Sequence, residues 1–334
     1  MQLNVNNSHK LLLATILGCS LSACQQEQAL VFPEEIAVKA DTVTLHEIIS
    51  PDFLNCANGY LYIASEASEE MLHAYRLDDL SHTWAGGKKG QGPDEFQIFP
   101  MFCNSNTKGL YVWGENVLNI SKFKVGAKGA LEKEKQLTLP YYDSFNQMHI
   151  VHDSLFLYNA FPNDMAIRII NLNDKNGKQR ELKTGKDTNE QFQNEDRGFM
   201  ATNGRTLFYG YMYKNRVDVY DLQSLKLKKR LEGAYNRHKE PTADGENETY
   251  YTGIYAGEKH YYALQNDPKQ GKYMLDVFSE DGTPVVRYTM DKCMHIFTVD
   301  EKGGWVVGYN YTDEDHLLRF RFPNRQEDGK TSPI

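Results

Sequence analysis

GGKKGQGPDEFQIFP, Gly86 to Pro100, admits two incompatible readings: a glycine-rich run with two lysines either cradles a phosphate or turns the chain between β-strands. A Walker A loop needs G-x-x-x-x-G-K-[ST], in which backbone N–H groups wrap the phosphates and the lysine and hydroxyl complete the site. Gly87 to Gly92 has the spacing, but Pro93 and Asp94 follow. Proline removes a backbone donor, and aspartate sets negative charge where the anion would sit. The dinucleotide pattern G-x-G-x-x-G fails too, because Glu95 stands where the third glycine after Gly90 and Gly92 is required. No nucleotide is expected, and the stretch reads as a turn whose backbone needs glycine, with Gly92 the position expected at positive φ.

The chain around it repeats one phrase. A glycine or polar pair leads into a short apolar-aromatic strand: NGYLYIA from Asn58, KGLYVWG from Lys108, DSLFLYN from Asp153, GRTLFYG from Gly204, EKHYYAL from Glu258 and GGWVVGY from Gly303. A second alternating strand follows each, as in HAYRLDD, ISKFKVG, IRIINLN, VDVYDLQ, LDVFSED and LLRFRFP. Alternation bounded by turn residues, with no long helical period, indicates antiparallel sheet. A spacing of about 44 to 54 residues is that of four-stranded propeller blades, which must stack on neighbours to bury both faces. The fold class expected is therefore all-β, a six-bladed propeller of four-stranded antiparallel blades. The last unit lacks an outer strand, while DTVTLHEII, Asp41 to Ile49, is a strand without a unit. That N-terminal strand is expected to close the last blade.

The opening stretch then lies between the outer strand of the first blade and the inner strand of the second. There it resembles the G-x-x-G-x-G-P-x-E-F-x-x-P junction of NHL-type repeats and of the TolB-like propeller lipoproteins of Bacteroidetes, through Gly87, Gly90, Gly92, Pro93, Glu95, Phe96 and, displaced by one, Pro100. Asp94 departs from the glycine usual there. The resemblance implies fold and address, and says little about activity.

The N-terminus agrees with that address. Lys10 precedes LLLATILG, a run too short to span a bilayer but suited to a signal-peptide core. LSAC, Leu21 to Cys24, resembles a lipobox, which implies that Cys24 is lipidated and that the membrane is a partner through this anchor. Gln25 after the cysteine favours the outer membrane by the same analogy. The organisation expected is signal peptide 1–23, tether 24–39, propeller 40–323 and C-terminal tail 324–334. The whole chain carries a net charge of −8, and removing the signal, with one lysine and no acid, makes it −9. An acidic surface of this kind gives no electrostatic case for nucleic acid. Cys56, Cys103 and Cys293 remain, enough for one disulfide at most, and buried free thiols are the expected state.

Function is less legible. In a propeller the loops between second and third strands converge at one mouth, and these loops carry rings beside carboxylates. Trp113, Glu115, Asp164, Tyr211, Tyr309, Tyr311 and Asp313 are the candidate ligand contacts, suited to a glycan, peptide or partner protein of the envelope. The competing reading wedges those rings between blades. No catalytic residue is assigned: no G-x-S-x-G elbow or H-E-x-x-H helix appears, and His149 and His152, three apart on a strand, face opposite sides. An alternative is a metal-dependent hydrolase or lyase, lactonase-like or sugar-lyase-like, with a divalent ion such as calcium at the axis. Asn104, Asn106, Asn146, Asn203 and His295 are its available ligands, with few carboxylates. Asp244, Glu246 and Glu248 read as a solvated loop. Otherwise no cofactor is expected.

Overall fold

A computed structural model describes residues 28–92, 95–105, 108–160, 165–174, 178–185, 194–235, 241, 247–267, 271–313 and 315–323. The described chain begins with β1 (Gln28–Ala29), β2 (Glu35–Val38) and β3 (Ala40–Thr44). Blade 1 is β4 (Phe53–Ala57), β5 (Tyr60–Ala64), β6 (Leu72–Arg76) and β7 (His82–Gly86). Blade 2 is β8 (Met101–Ser105), β9 (Leu110–Trp113), β10 (Asn119–Val125) and β11 (Leu131–Thr138). Blade 3 is β12 (Phe145–Val151), β13 (Leu155–Ala160), β14 (Ala166–Asn171) and β15 (Gln179–Lys183). Blade 4 is β16 (Gly198–Thr202), β17 (Thr206–Tyr211), β18 (Arg216–Asp221) and β19 (Leu227–Glu232). Blade 5 is β20 (Tyr251–Ala256), β21 (His260–Asp267), β22 (Lys272–Ser279) and β23 (Pro284–Met290). Blade 6 is β24 (Ile296–Asp300), β25 (Trp305–Tyr309) and β26 (His316–Arg321).

Apolar residues on both faces of each blade's middle strands leave every blade in need of neighbours. Among the described residues the core divides into clusters that each sit between two successive blades. Phe102 and Val112 of blade 2 pack on Tyr62 and Ala74 of blade 1, and so on round to Val307, Tyr309 and Leu317 of blade 6 against Leu61, Ile63 and Tyr75 of blade 1. That last cluster closes the ring. Antiparallel order then fixes the faces: the first-to-second strand hairpins lie on one side, and the second-to-third strand loops and the interblade junctions on the other.

Blade 6 is completed from the N-terminus as the sequence indicates. β3 pairs antiparallel with β26, Ala40 facing Phe320 and Thr44 facing His316, although the strand stops at Thr44 and not Ile49. The stretch expected as a tether behaves differently from 28 onward. β1 adds in parallel to β19, and β2 adds in parallel to β23, giving blades 4 and 5 a fifth strand each. Phe32 between them meets Phe278 edge-on at 5.3 Å, and the Arg287 guanidinium lies over its ring at 4.6 Å. One N-terminal belt thus ties blades 4, 5 and 6 together. Cys24, the signal 1–23 and the tail 324–334 lie outside the described residues.

The ring is pinched between blades 2 and 3, where β8 and β12 pair in parallel, Asn104 beside His149. Within β12, Gln147 has φ +46° at a bulge. Its amide replaces the missing ladder partner: Nε2 donates to Gly198 O (3.1 Å) and Oε1 accepts from Met200 N–H (2.8 Å), which joins blade 3 to blade 4.

At the junction from blade 1 to blade 2 the glycine-rich loop does hold an anion, and the anion is the chain's own. Gly92 N–H donates to Glu95 Oε2 at 2.7 Å, and a Cβ on Gly90 would run into the same carboxylate. Phe96, 2% exposed, plugs the seam between the two blades and bonds through its backbone to Lys88 and Gly90. The left-handed residue is Gly87, at φ +77°, and not Gly92; an added Cβ there would lie 2.9 Å from the Phe96 ring. Pro93 and Asp94 lie outside the described residues. Gly87→Ala is expected to lower stability by about 1–3 kcal/mol, because backbone strain and the clash with Phe96 act together. Urea denaturation would read this, and an unchanged midpoint would refute the assignment.

Candidate ligand-binding site

The mouth expected from the loops is largely packed. Trp113 ends β9 at 4% exposure, its Nε1 donating to Val117 O (3.2 Å) and its ring stacked on Tyr142. Tyr211 ends β17 at 1%, its hydroxyl donating to Asp218 (2.8 Å). Tyr309 is fully buried between blades 6 and 1. Glu115 is buried and pairs with Lys133 Nζ at 2.7 Å. Rings and charges so enclosed pack between and within blades. Tyr311 is 46% exposed and stacks on His295 at 5.2 Å, and Asp313 bonds His316 Nδ1 at 2.6 Å. The structure brings Tyr309, Tyr311 and Asp313 together on one blade and does not join them to Trp113 or Tyr211. Asp164 lies outside the described residues.

A cavity of about 430 Å³ opens instead at the opposite end of the axis, among the first-to-second strand hairpins. Blades 1, 2, 4, 5 and 6 line it through Asn55 and Cys56, Asn104 and Ser105, Asn203, Tyr255, and Asp300 with Glu301. The inner strands alternate, so each delivers a side chain to the axis just before its hairpin turns away. Blade 3 is withheld by the β8–β12 pinch.

Part of the charge at this mouth is tied up. Burial would raise the Glu301 carboxyl, but bonds from His260 Nδ1 (3.2 Å), the N–H groups of Lys259 (3.0 Å) and His260 (3.1 Å), and the Tyr262 hydroxyl (3.0 Å) more than offset it, holding the acid below its ordinary range. Glu258 and Lys302, on adjacent hairpins, pair at 3.1 Å. Burial pushes the Cys56 thiol up to about 12, with nearby Asp300 adding to it, so the thiol is neutral at physiological pH. Cys56, Cys103 and Cys293 are all free. The side chains of Asn55, at 8% exposure, and Asn104 line the cavity beside Lys108 and Asp300.

Of the axial ligands weighed for a metal, Asn104 and Asn203 line this cavity, Asn146 and His295 sit at the other end of the inner strands, and Asn106 lies outside the described residues. Among the described residues no three His, Cys, Asp or Glu side chains converge. Of the carboxylates in this lining, Glu301 is engaged by its own hydrogen bonds and Glu258 is paired with Lys302, which leaves Asp300 and the amides.

The model of the TolB-like six-blade propeller family matches residues 31–302. The chain belongs to that family. Solved structures similar to this TolB-like propeller include a Bacteroides fragilis protein assigned as exported, at 12% identity and TM-score 0.51, covering 89% of this chain and 98% of that one. Raptor of Chaetomium thermophilum is similar at 9% identity and TM-score 0.51, over 88% of this chain and 29% of that one. At these identities the likeness is one of fold alone. A gluconolactonase from Xanthomonas campestris, at 10% identity over 85% of this chain and 90% of its own, reaches a TM-score of only 0.48 and carries no argument. No curated protein sequence matches the chain.

The match begins at residue 31, so it takes in part of the N-terminal belt as well as the blades. The sequence places Asn104 and Asn203 at the axis as possible metal ligands, but it does not mark Asn55, which sits within a strand. Asn55 in FLNCA and Asn104 in MFCNS are the signal: a polar amide on an otherwise apolar inner strand, repeated in consecutive blades.

Proposed function

We propose that this propeller is a cell-envelope binding module, held to the membrane by lipid on Cys24, that takes a small polar ligand into its axial pocket. The observation that carries the pocket is the convergence of residues from five blades, Asn55 and Asn104 among them, on one cavity of about 430 Å³. The cavity volume is within the range of small-molecule sites, which combine a few placed polar groups with apolar walls. Support for the envelope comes from the sequence before Cys24 and from the exported Bacteroides fragilis protein of the same fold.

Binding should raise the melting temperature by mass action. The full chain, purified in detergent, would be melted alone and with neutral sugars, amino acids and dipeptides at millimolar concentration. A rise with any class supports the pocket, and no rise with any class overturns it. For the anchor, Cys24→Ala is expected to abolish labelled palmitate incorporation and leave an unprocessed precursor. Label retained in that variant would exclude Cys24 as the acceptor.

A further inference from the structure

We infer that the outer rim of blade 4 lies on the membrane, with Arg180, Lys226 and Lys228 set against the anionic headgroups of the lipid surface that holds the anchor. This rests on the lipid at Cys24 proposed above and names the face that the anchor turns to the bilayer.

Chain length sets the first limit. Gln25, Gln26 and Glu27 are all that separate Cys24 from β1, and β1 is fixed in the fold. Gln28 pairs with Leu231 and Ala29 with Glu232 at the edge of β19, Leu30 N–H donates to Glu232 O (3.0 Å), and Leu30 and Phe32 pack against the cluster between blades 4 and 5. Four residue steps reach at most about 14 Å when fully extended. A lipid on Cys24 therefore enters the bilayer within that distance of the edge of blade 4. Val31, 68% exposed, stands out from the belt next to the end of β19 and gives the same edge an apolar side chain that a lipid surface would cover.

The tether alone would let the rim of blade 4 or either flat side near it meet the bilayer; charge chooses the rim. The chain as a whole carries a net charge of −8, yet KLKKR, Lys226 to Arg230, runs along the outermost strand contributed by blade 4 itself. Lys229 is taken up by Asp281 (3.2 Å) and Arg230 by Asp218 (2.8 Å). Lys226 and Lys228 are exposed and form no ion pair among the described residues; Asp221, the carboxylate that feels Lys228, is held chiefly by the Ser224 backbone N–H and hydroxyl. Arg180 reaches the same corner from blade 3, where its guanidinium donates to Gln223 O (2.5 Å) and pairs with no carboxylate among the described residues. Lys228 is three residues from Leu231, about 10 Å along the strand, inside the radius that the tether allows. Cations so placed are attracted to an anionic lipid surface over about a Debye length, roughly 10 Å.

The lipidated full chain would be reconstituted into vesicles of phosphatidylcholine and phosphatidylglycerol in equal parts, and its exposed amines acetylated and followed by mass spectrometry. Relative to the same protein in detergent, Lys226 and Lys228 are expected to react about fivefold more slowly, while exposed Lys89, across the ring beyond blade 1, keeps its rate. Equal rates at all three positions, or slowing at Lys89 alone, would overturn the docking. The intact mass reads the anchor separately: acyl chains present without protection leave the anchor standing and the docking refuted, and a protein without acyl chains overturns both. On phosphatidylcholine alone the protection should shrink, and protection of the same size there would overturn the role given to charge. A flexible glycine-serine insert between Glu27 and Gln28 should keep the lipid and return both lysines toward their detergent rates. Unchanged protection in that variant would overturn the role given to the short tether.

Discussion

A chain beginning at Pro51, without β1 to β3, is expected to aggregate or to melt far below the parent. Leu30, Phe32, Ile36, Val38 and Val43 pack partly buried against the clusters of blades 4 to 6 and 1. At about 1 kcal/mol or more each they account for about 5 kcal/mol, on the order of the whole net stability of a domain. Losing β3 also strips the hydrogen-bonded edge of β26 from Phe320 to His316, and a bare edge recruits other strands. A chain beginning at Lys39 keeps β3 and should stay monomeric while losing the part contributed by β1 and β2. Size-exclusion chromatography with thermal melting separates these cases. A Pro51 chain that remained monomeric with the parent's melting temperature would show that the ring closes without its belt.

Replacing Asp276 with Ala is expected to cost about 3–5 kcal/mol at neutral pH, since the loss of one partner leaves the other charge buried and unpaired. Asp276 is fully buried in β22 and accepts from Arg287 Nε (2.6 Å) and Nη2 (2.8 Å) and from Gln265 Nε2 (2.8 Å). Its counterpart in blade 4, Asp218, accepts from both Arg216 and Arg230 and from the hydroxyls of Tyr211 and Tyr220. Burial raises both carboxyls, but two guanidinium groups outweigh it at Asp218, which is held below its ordinary value, whereas one does not at Asp276, which stays above. The signs for acid unfolding are opposite. Asp218 contributes stability above the ordinary carboxylate range that is lost as pH falls through its depressed value; Asp276 takes a proton more readily folded than unfolded, so acid favours its folded form. Asp218→Asn should therefore flatten the acid limb of a urea-denaturation pH profile, and Asp276→Asn should not. Equal profiles for the two variants would refute this account.

These residues also show what was legible in the chain. Alternating strands between turn residues, as in VDVYD and LDVFS, make blades whatever their surroundings, so the ring could be read locally. The closing strand could be read as well, because DTVT alternates and blade 6 lacks an outer partner. QALVFPEEIAV could not: it is interrupted by Pro33, its strands are two and four residues long, and only the edges of β19 and β23 give them a partner. The candidate site failed for a related reason. The sequence places Tyr211 in a loop, yet β17 runs on through it, and its ring lies in a seam between blades. Asn104 and Asn203 could be placed at the axis from the sequence, whereas the pocket they share with Asn55 depends on several inner strands converging, a relation between residues far apart.

The belt also sets an order of events in time. Ala40 bonds to Asp291, 251 positions later, and β1 and β2 wait for blades 4 and 5. Blades 1 to 3 can form from nearby hairpins as the chain is made, whereas β1 to β3, made before them, must wait for blades 4 to 6, made after them. Contacts of such separation carry a loop-closure cost before they return any stability, so closing the ring is the slow step of folding. Until it happens, an open arc of blades presents an unpaired strand edge at blade 6 and an apolar flank at blade 1, and the protein is most vulnerable to aggregation in that interval.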